Sequence, residues 1–102
     1  MEKPSIYVVR SPEADADLVS IWLYGARTWS PAQASAYLLE IEALCNQLVV
    51  NPKLGKLRND LVLGVRSILI TPHVIFYRVS KEAIEIVRVL HQREDASATF
   101  RQ

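Results

Sequence analysis

Residues 65–93 hold three β-rich runs separated by two short breaks, Thr71-Pro72 and Ser80-Lys81-Glu82. β-Branched and aromatic side chains fill the runs, and turn-forming residues fill the breaks. That pattern predicts a three-stranded antiparallel meander. A meander this small is marginal in water unless something packs on it. The first half of the chain must supply that layer. Turn lengths also set the register. A two-residue loop at Thr71-Pro72 puts His73 opposite Ile70 and Phe76 opposite Ser67. A four-residue loop at 80–83 puts Val79 opposite Ile84, Arg78 opposite Glu85 and Phe76 opposite Val87.

The layer is legible upstream. Ile6-Tyr7-Val8-Val9-Arg10 is a short strand expected to join the sheet. Ser11-Pro12 then reads as an N-cap hydroxyl followed by proline at the first helical position. Ala14, Leu18, Ile21, Trp22, Gly25 and Trp29 recur at helical spacing, which predicts a buried stripe containing both tryptophans. Ser30 and Gln33 form a capping box for a second helix. Its apolar set is Ala34, Tyr37, Leu38, Ile41, Leu44, Cys45 and Leu48, and Asn51-Pro52 ends it. The expected fold is α+β: β-α-α-β-β-β in one domain spanning 1–102, an antiparallel sheet with a helical hairpin on one face. Residues 53–64 read as a connector, and 94–102 as a loosely ordered tail.

Alternation sorts the meander onto two faces, and both are apolar. Ile68, Ile75, Tyr77, Ile84 and Ile86 are expected under the helices. Leu69, Val74, Phe76, Val87 and Val89 are then left outside, with His91 on their side. Such a patch is larger than a monomer usually tolerates, so a partner is expected to cover it.

Several function classes recede. The net charge is +1, although the charge is uneven. Acids dominate from Ser11 to Asn51, and bases dominate from Pro52 to Arg93. This division suits either an acidic partner or pairing between the two halves. One cysteine, Cys45, rules out an internal disulfide and a thiolate metal cluster. There is no Gly-rich phosphate loop, no metal-ligand spacing and no apolar run long enough to cross a membrane. No metal or cofactor is expected, and the default location is the cytoplasm.

The order of several segments resembles one family. Ser11-Pro12-Glu13-Ala14, Ile21-Trp22, Trp29-Ser30-Pro31-Ala32-Gln33-Ala34 and Asn51-Pro52-Lys53-Leu54-Gly55-Lys56 are similar to ParE toxins. So are residues 72–79 and the ending 84–93. ParE belongs to the RelE/ParE superfamily of type II toxin–antitoxin modules. The resemblance implies a protein that inhibits DNA gyrase by binding, without an active site of its own, and that a ParD-like antitoxin neutralises. It implies no membrane contact and no sequence-specific nucleic-acid binding. Leu69, Val74, Phe76, Val87, Val89, Arg78 and Arg88 become candidates for antitoxin contact. His91, Arg93 and Phe100 become candidates for target contact, with no catalytic residues. Two alternatives remain: a RelE-like ribosome-dependent messenger ribonuclease, or a non-toxic relative that only binds antitoxin. RelE-like enzymes commonly carry an arginine where this chain has Val74, and no tyrosine follows Tyr77 here.

Overall fold

The computed structural model describes residues 6–101. Strand β1 (Tyr7–Arg10) leads into helix α1 (Pro12–Thr28) and helix α2 (Pro31–Val50). Then come β2 (Lys56–Leu57), β3 (Arg66–Ile70), β4 (His73–Val79), β5 (Ala83–His91) and a short helix α3 (Ala96–Phe100). The strands form one sheet in the order β1-β5-β4-β3-β2.

The helix starts behave as their residues dictate. Ser11 Oγ accepts the Ala14 N–H at 2.9 Å and donates to the Val87 carbonyl at 2.7 Å, tying the cap of α1 to β5. Ser30 Oγ accepts the Gln33 N–H at 3.1 Å. At Gly25 the helices touch: an added Cβ would sit 3.2 Å from the Ala34 Cβ. Ala14, Ile41, Cys45 and Leu48 from the helices meet Ile75, Tyr77, Ile84 and Ile86 from the sheet in the main core. The helices therefore cover the face expected of them.

The meander keeps its expected register at both turns. Ile70 pairs with His73, Ser67 with Phe76, Arg78 with Glu85 and Val79 with Ile84. It then departs. Tyr77 pairs with Ile86, but Phe76 pairs with Arg88 rather than Val87, so Val87 is an extra residue in β5. A bulge shifts every later side chain to the other face. Val89 consequently turns inward to the helix-packed core at 2 % exposure. His91 moves with it and pairs with His73. Leu90 takes the second face instead.

That second face is not open. Phe76, 2 % exposed, forms a second small core with Val65 and Leu90. Leu61 and Val62 from the connector, and Ala96 and Phe100 from the tail, close over it. The Phe76 and Phe100 rings meet edge-on, with centroids 5.1 Å apart. The tail expected to be loose is a helix capped by Asp95, whose Oδ1 accepts the Ser97 N–H; Gln102 lies outside the described residues.

Two further differences concern the edges. β1 runs parallel to β5, so the sheet is mixed rather than antiparallel. A strand joined to its neighbour by no local turn has no turn chemistry to fix its direction. At the other edge the connector adds β2, which pairs with β3. Gly55, just before β2, is wedged against Tyr77. Its N–H donates to the Tyr77 hydroxyl at 2.8 Å, and that hydroxyl donates to the Pro52 carbonyl at 2.7 Å. A Cβ here would lie 2.7 Å from Tyr77 and 2.9 Å from the Ser67 carbonyl. Gly55→Ala is therefore expected to cost about 2–3 kcal/mol through forced overpacking, a drop of roughly 10–20 °C in melting temperature. A variant that melts with the parent would show that the connector can swing clear of Tyr77.

Candidate partner-binding surfaces

Helix α2 carries only two charged residues, Glu40 and Glu42, in twenty positions. A helix so nearly apolar all round seeks contacts on more than its core face. In the fold its outer side and that of α1 stay uncovered. Tyr7 of β1, Val19 and Leu23 of α1 and Leu39 of α2 are all at least half exposed, Leu39 at 65 %. They line a groove of about 1050 Å³ running along the hairpin beside β1. The floor includes Cys45, whose thiol burial pushes up to about 11, so it is a neutral apolar surface at physiological pH. Arg10 and Asp15 pair at the rim, and Glu42 supplies a further acid.

β1 is an edge strand. Its inner side pairs with β5, and among the described residues no strand pairs with its outer side. An unpaired row of N–H and C=O groups beside an apolar groove offers two modes of peptide capture at once: strand addition and a helix in a groove.

The residues singled out from the sequence are scattered by comparison. Leu69 and Arg78 are exposed on the sheet, and Val74 is half-buried at the edge of the second core. Phe76 and Val89 are buried in two different cores, so the continuous outward patch they were expected to form with Val87 does not exist. Arg88 is already engaged. Its guanidinium donates to both Asp17 carboxylate oxygens, at 2.8 and 2.9 Å, which holds its pKa above the ordinary arginine value. Asp17 also accepts the Val89 N–H at 2.9 Å. Beyond Arg10 there is no β1 left to pair with β5, and this carboxylate takes the place of a strand acceptor.

His91 and Arg93 are brought together at the end of β5, where the Arg93 N–H donates to His91 Nδ1 at 3.1 Å. Arg93 is exposed, whereas Phe100 lies against Phe76 on the other side of the sheet. Among the described residues there is no cluster of three or more metal-ligating side chains and no helix long and apolar enough to cross a membrane. The outer hairpin residues Val19, Leu23 and Leu39 were missed from sequence. Their signal was the surplus of apolar residues outside the stripe that packs on the sheet.

Comparison with known proteins adds a second line of argument. Residues 8–96 match the family described as the ParE toxin of the parDE type II toxin–antitoxin system. Toxin ParE1 of Caulobacter vibrioides is 39 % identical over 88 residues, covering 86 % of this chain and 91 % of that protein. Toxin ParE1 of Mycobacterium tuberculosis is 38 % identical over 86 residues, covering 83 % and 88 % respectively. A solved structure described as the chromosomal ParDE TA system from P. aeruginosa superposes with a TM-score of 0.71 at 25 % identity, covering 86 % of this chain and 95 % of that one.

Proposed function

Because the chain belongs to the ParE toxin family of type II toxin–antitoxin systems, we propose that it is the toxin of such a pair, acting in the cytoplasm on DNA gyrase and held inactive by a cognate ParD-like antitoxin. The observation that carries the antitoxin half of this reading is the hairpin groove with the free β1 edge beside it. An antitoxin segment lays an amphipathic helix along Val19, Leu23 and Leu39 and adds a strand to β1. Its apolar face supplies affinity, and the charges at the rim fix its register. Leu69 and Arg78 are outlying contacts at most, because the sheet face around them is closed by the protein itself.

Target contact is assigned to the exposed end of β5, where Arg93 stands free of the core beside His91. The protein acts by binding and has no active site of its own. Purified chain added to gyrase and relaxed plasmid should block supercoiling, and prior addition of the antitoxin should restore it. Message cleavage on translating ribosomes with gyrase unaffected would instead establish the ribonuclease alternative.

The groove has its own test. Leu39→Asp places a charge at the centre of the expected interface while leaving the free domain intact, since Leu39 is exposed. Antitoxin affinity should fall by about 2–4 kcal/mol, roughly 30- to 1000-fold in Kd. Calorimetric titration reads this directly. Undiminished affinity in a variant that melts normally would move the antitoxin elsewhere.

A further inference from the structure

A second groove, of about 910 Å³, opens where the joint between α1 and α2 meets the β3–β4 turn. It shares no lining residue with the hairpin groove. Five aromatic rings are among its lining residues. Trp29, expected in the core, follows the end of α1 and stands 64 % exposed, because the helical period that would bury it has ended. Tyr24 meets Trp29 edge-on, with centroids 6.0 Å apart. Tyr37, His73 and His91 continue the lining, with Tyr37–His73 centroids at 5.5 Å and His73–His91 at 5.4 Å.

Apart from its two histidines, the lining carries one ionisable side chain that is charged at neutral pH, Glu40. The Tyr37 hydroxyl lies in hydrogen-bond reach of two groups, the Ile70 carbonyl at 3.0 Å and His73 Nδ1 at 2.7 Å. Burial, and then the neighbouring His91, push the His73 pKa below the usual imidazole range, which keeps the ring uncharged at neutral pH. Glu40 also lines the groove, and it helps to push the Tyr37 hydroxyl, already raised by burial, up to about 12. No lysine or arginine lines the groove, and among the described residues Glu40 has no ion-pair partner within 4.0 Å. Aromatic faces carry partial negative charge, and here they share a groove with an exposed carboxylate that has no ion-pair partner among the described residues. The complementary occupant is a cation with a flat face and several donors. A guanidinium fits: it stacks on aromatic rings, donates bidentately to a carboxylate and desolvates more readily than an ammonium.

We propose that this groove is a docking site for an arginine side chain of a protein partner, stacked on the Tyr24–Trp29 wall and paired with Glu40. The site shares His91 with the end of β5 proposed for target contact but no residue with the antitoxin groove, so its failure would leave the Leu39→Asp and gyrase tests to be decided on their own results.

The test is an NMR titration of the ¹⁵N-labelled full chain at pH 7.5 with acetyl-Gly-Arg-Gly-amide. The matched probe carries citrulline, which keeps the shape of arginine and removes its charge. Saturable shifts should appear at the Trp29 indole and around Tyr24 and Tyr37, with affinity about tenfold higher for the arginine peptide. Glu40→Gln should lower that affinity about fivefold, and Trp29→Ala should abolish the shifts. Both side chains lie on the surface of the groove, so both variants should melt with the parent. Glu82→Gln, in the exposed β4–β5 turn and outside both grooves, should change nothing. Equal binding of the citrulline peptide, shifts centred elsewhere, no saturable shifts, or tighter binding of tetramethylammonium than of the arginine peptide would each overturn the proposal.

Discussion

Phe76→Asp is expected to leave little folded protein at room temperature. Phe76 is the central side chain of the second core, 2 % exposed and in edge-on contact with Phe100. Truncating such a ring costs about 3–5 kcal/mol in lost contacts and residual cavity. A carboxylate left there without a partner adds several more, or forces the side chain to fold as the neutral acid. Domains of this size have about 5–15 kcal/mol in total. Circular dichroism should show a collapsed or absent thermal transition, whereas Phe76→Leu should retain a transition lowered by about 5–15 °C. Removal of residues 94–102 strips Ala96 and Phe100 from the same core, so it should also lower the melting temperature, although less. A Phe76→Asp protein with a parental melt would mean that the connector and tail do not cover this face in solution.

Asp17→Ala should be the most damaging single change to a charged residue. It orphans two groups together: the Arg88 guanidinium and the Val89 N–H. The pair is only partly shielded, with side-chain exposures of 27 % for Arg88 and 13 % for Asp17. The expected loss is therefore about 2–4 kcal/mol, below that of a fully buried pair. Asp17→Asn keeps an acceptor for Val89 and should cost about half as much. Urea unfolding gives the totals, and hydrogen exchange at the Val89 amide gives the local effect. A double-mutant cycle with Arg88→Met should show coupling of about 1–3 kcal/mol. Purely additive losses would reduce the pair to two separate surface residues.

These two sites also mark where sequence reasoning stopped. The helix caps, the hairpin and the turn registers were legible because each is fixed within a few residues: Ser11-Pro12, Ser30 with Gln33, and Thr71-Pro72. The Arg78–Glu85 register followed from the short loop before β5. The Val87 bulge was not legible, because nothing local marks it. It lies where β5 passes the end of β1, and its carbonyl is held by Ser11 from 76 positions away. One inserted residue then reversed the faces of Val89 and His91 and dissolved the expected outer patch. The tail was misread for a related reason. A single phenylalanine in nine residues is a weak apolar signal until Phe76 is known to be its neighbour. On the hairpin, periodicity identified the core stripe except at Trp29, which lies past the end of α1, and drew attention away from Leu39 and Leu23, which lie outside it.

The pairing of β1 with β5 also sets when the edge beside the hairpin groove is complete. Residues 7–10 are translated well before their neighbours in the sheet, residues 83–86. A nascent chain can form the helical hairpin well before that strand has left the ribosome. It cannot yet hold β1 as a straight edge beside the hairpin, because nothing is there to pair with it. Contacts of such long sequence separation form slowly, after the local ones. An antitoxin that added a strand to β1, as proposed above, would therefore not capture a half-made chain. It would recognise completion, because the hairpin groove and the straight edge beside it come into being in the same folding step.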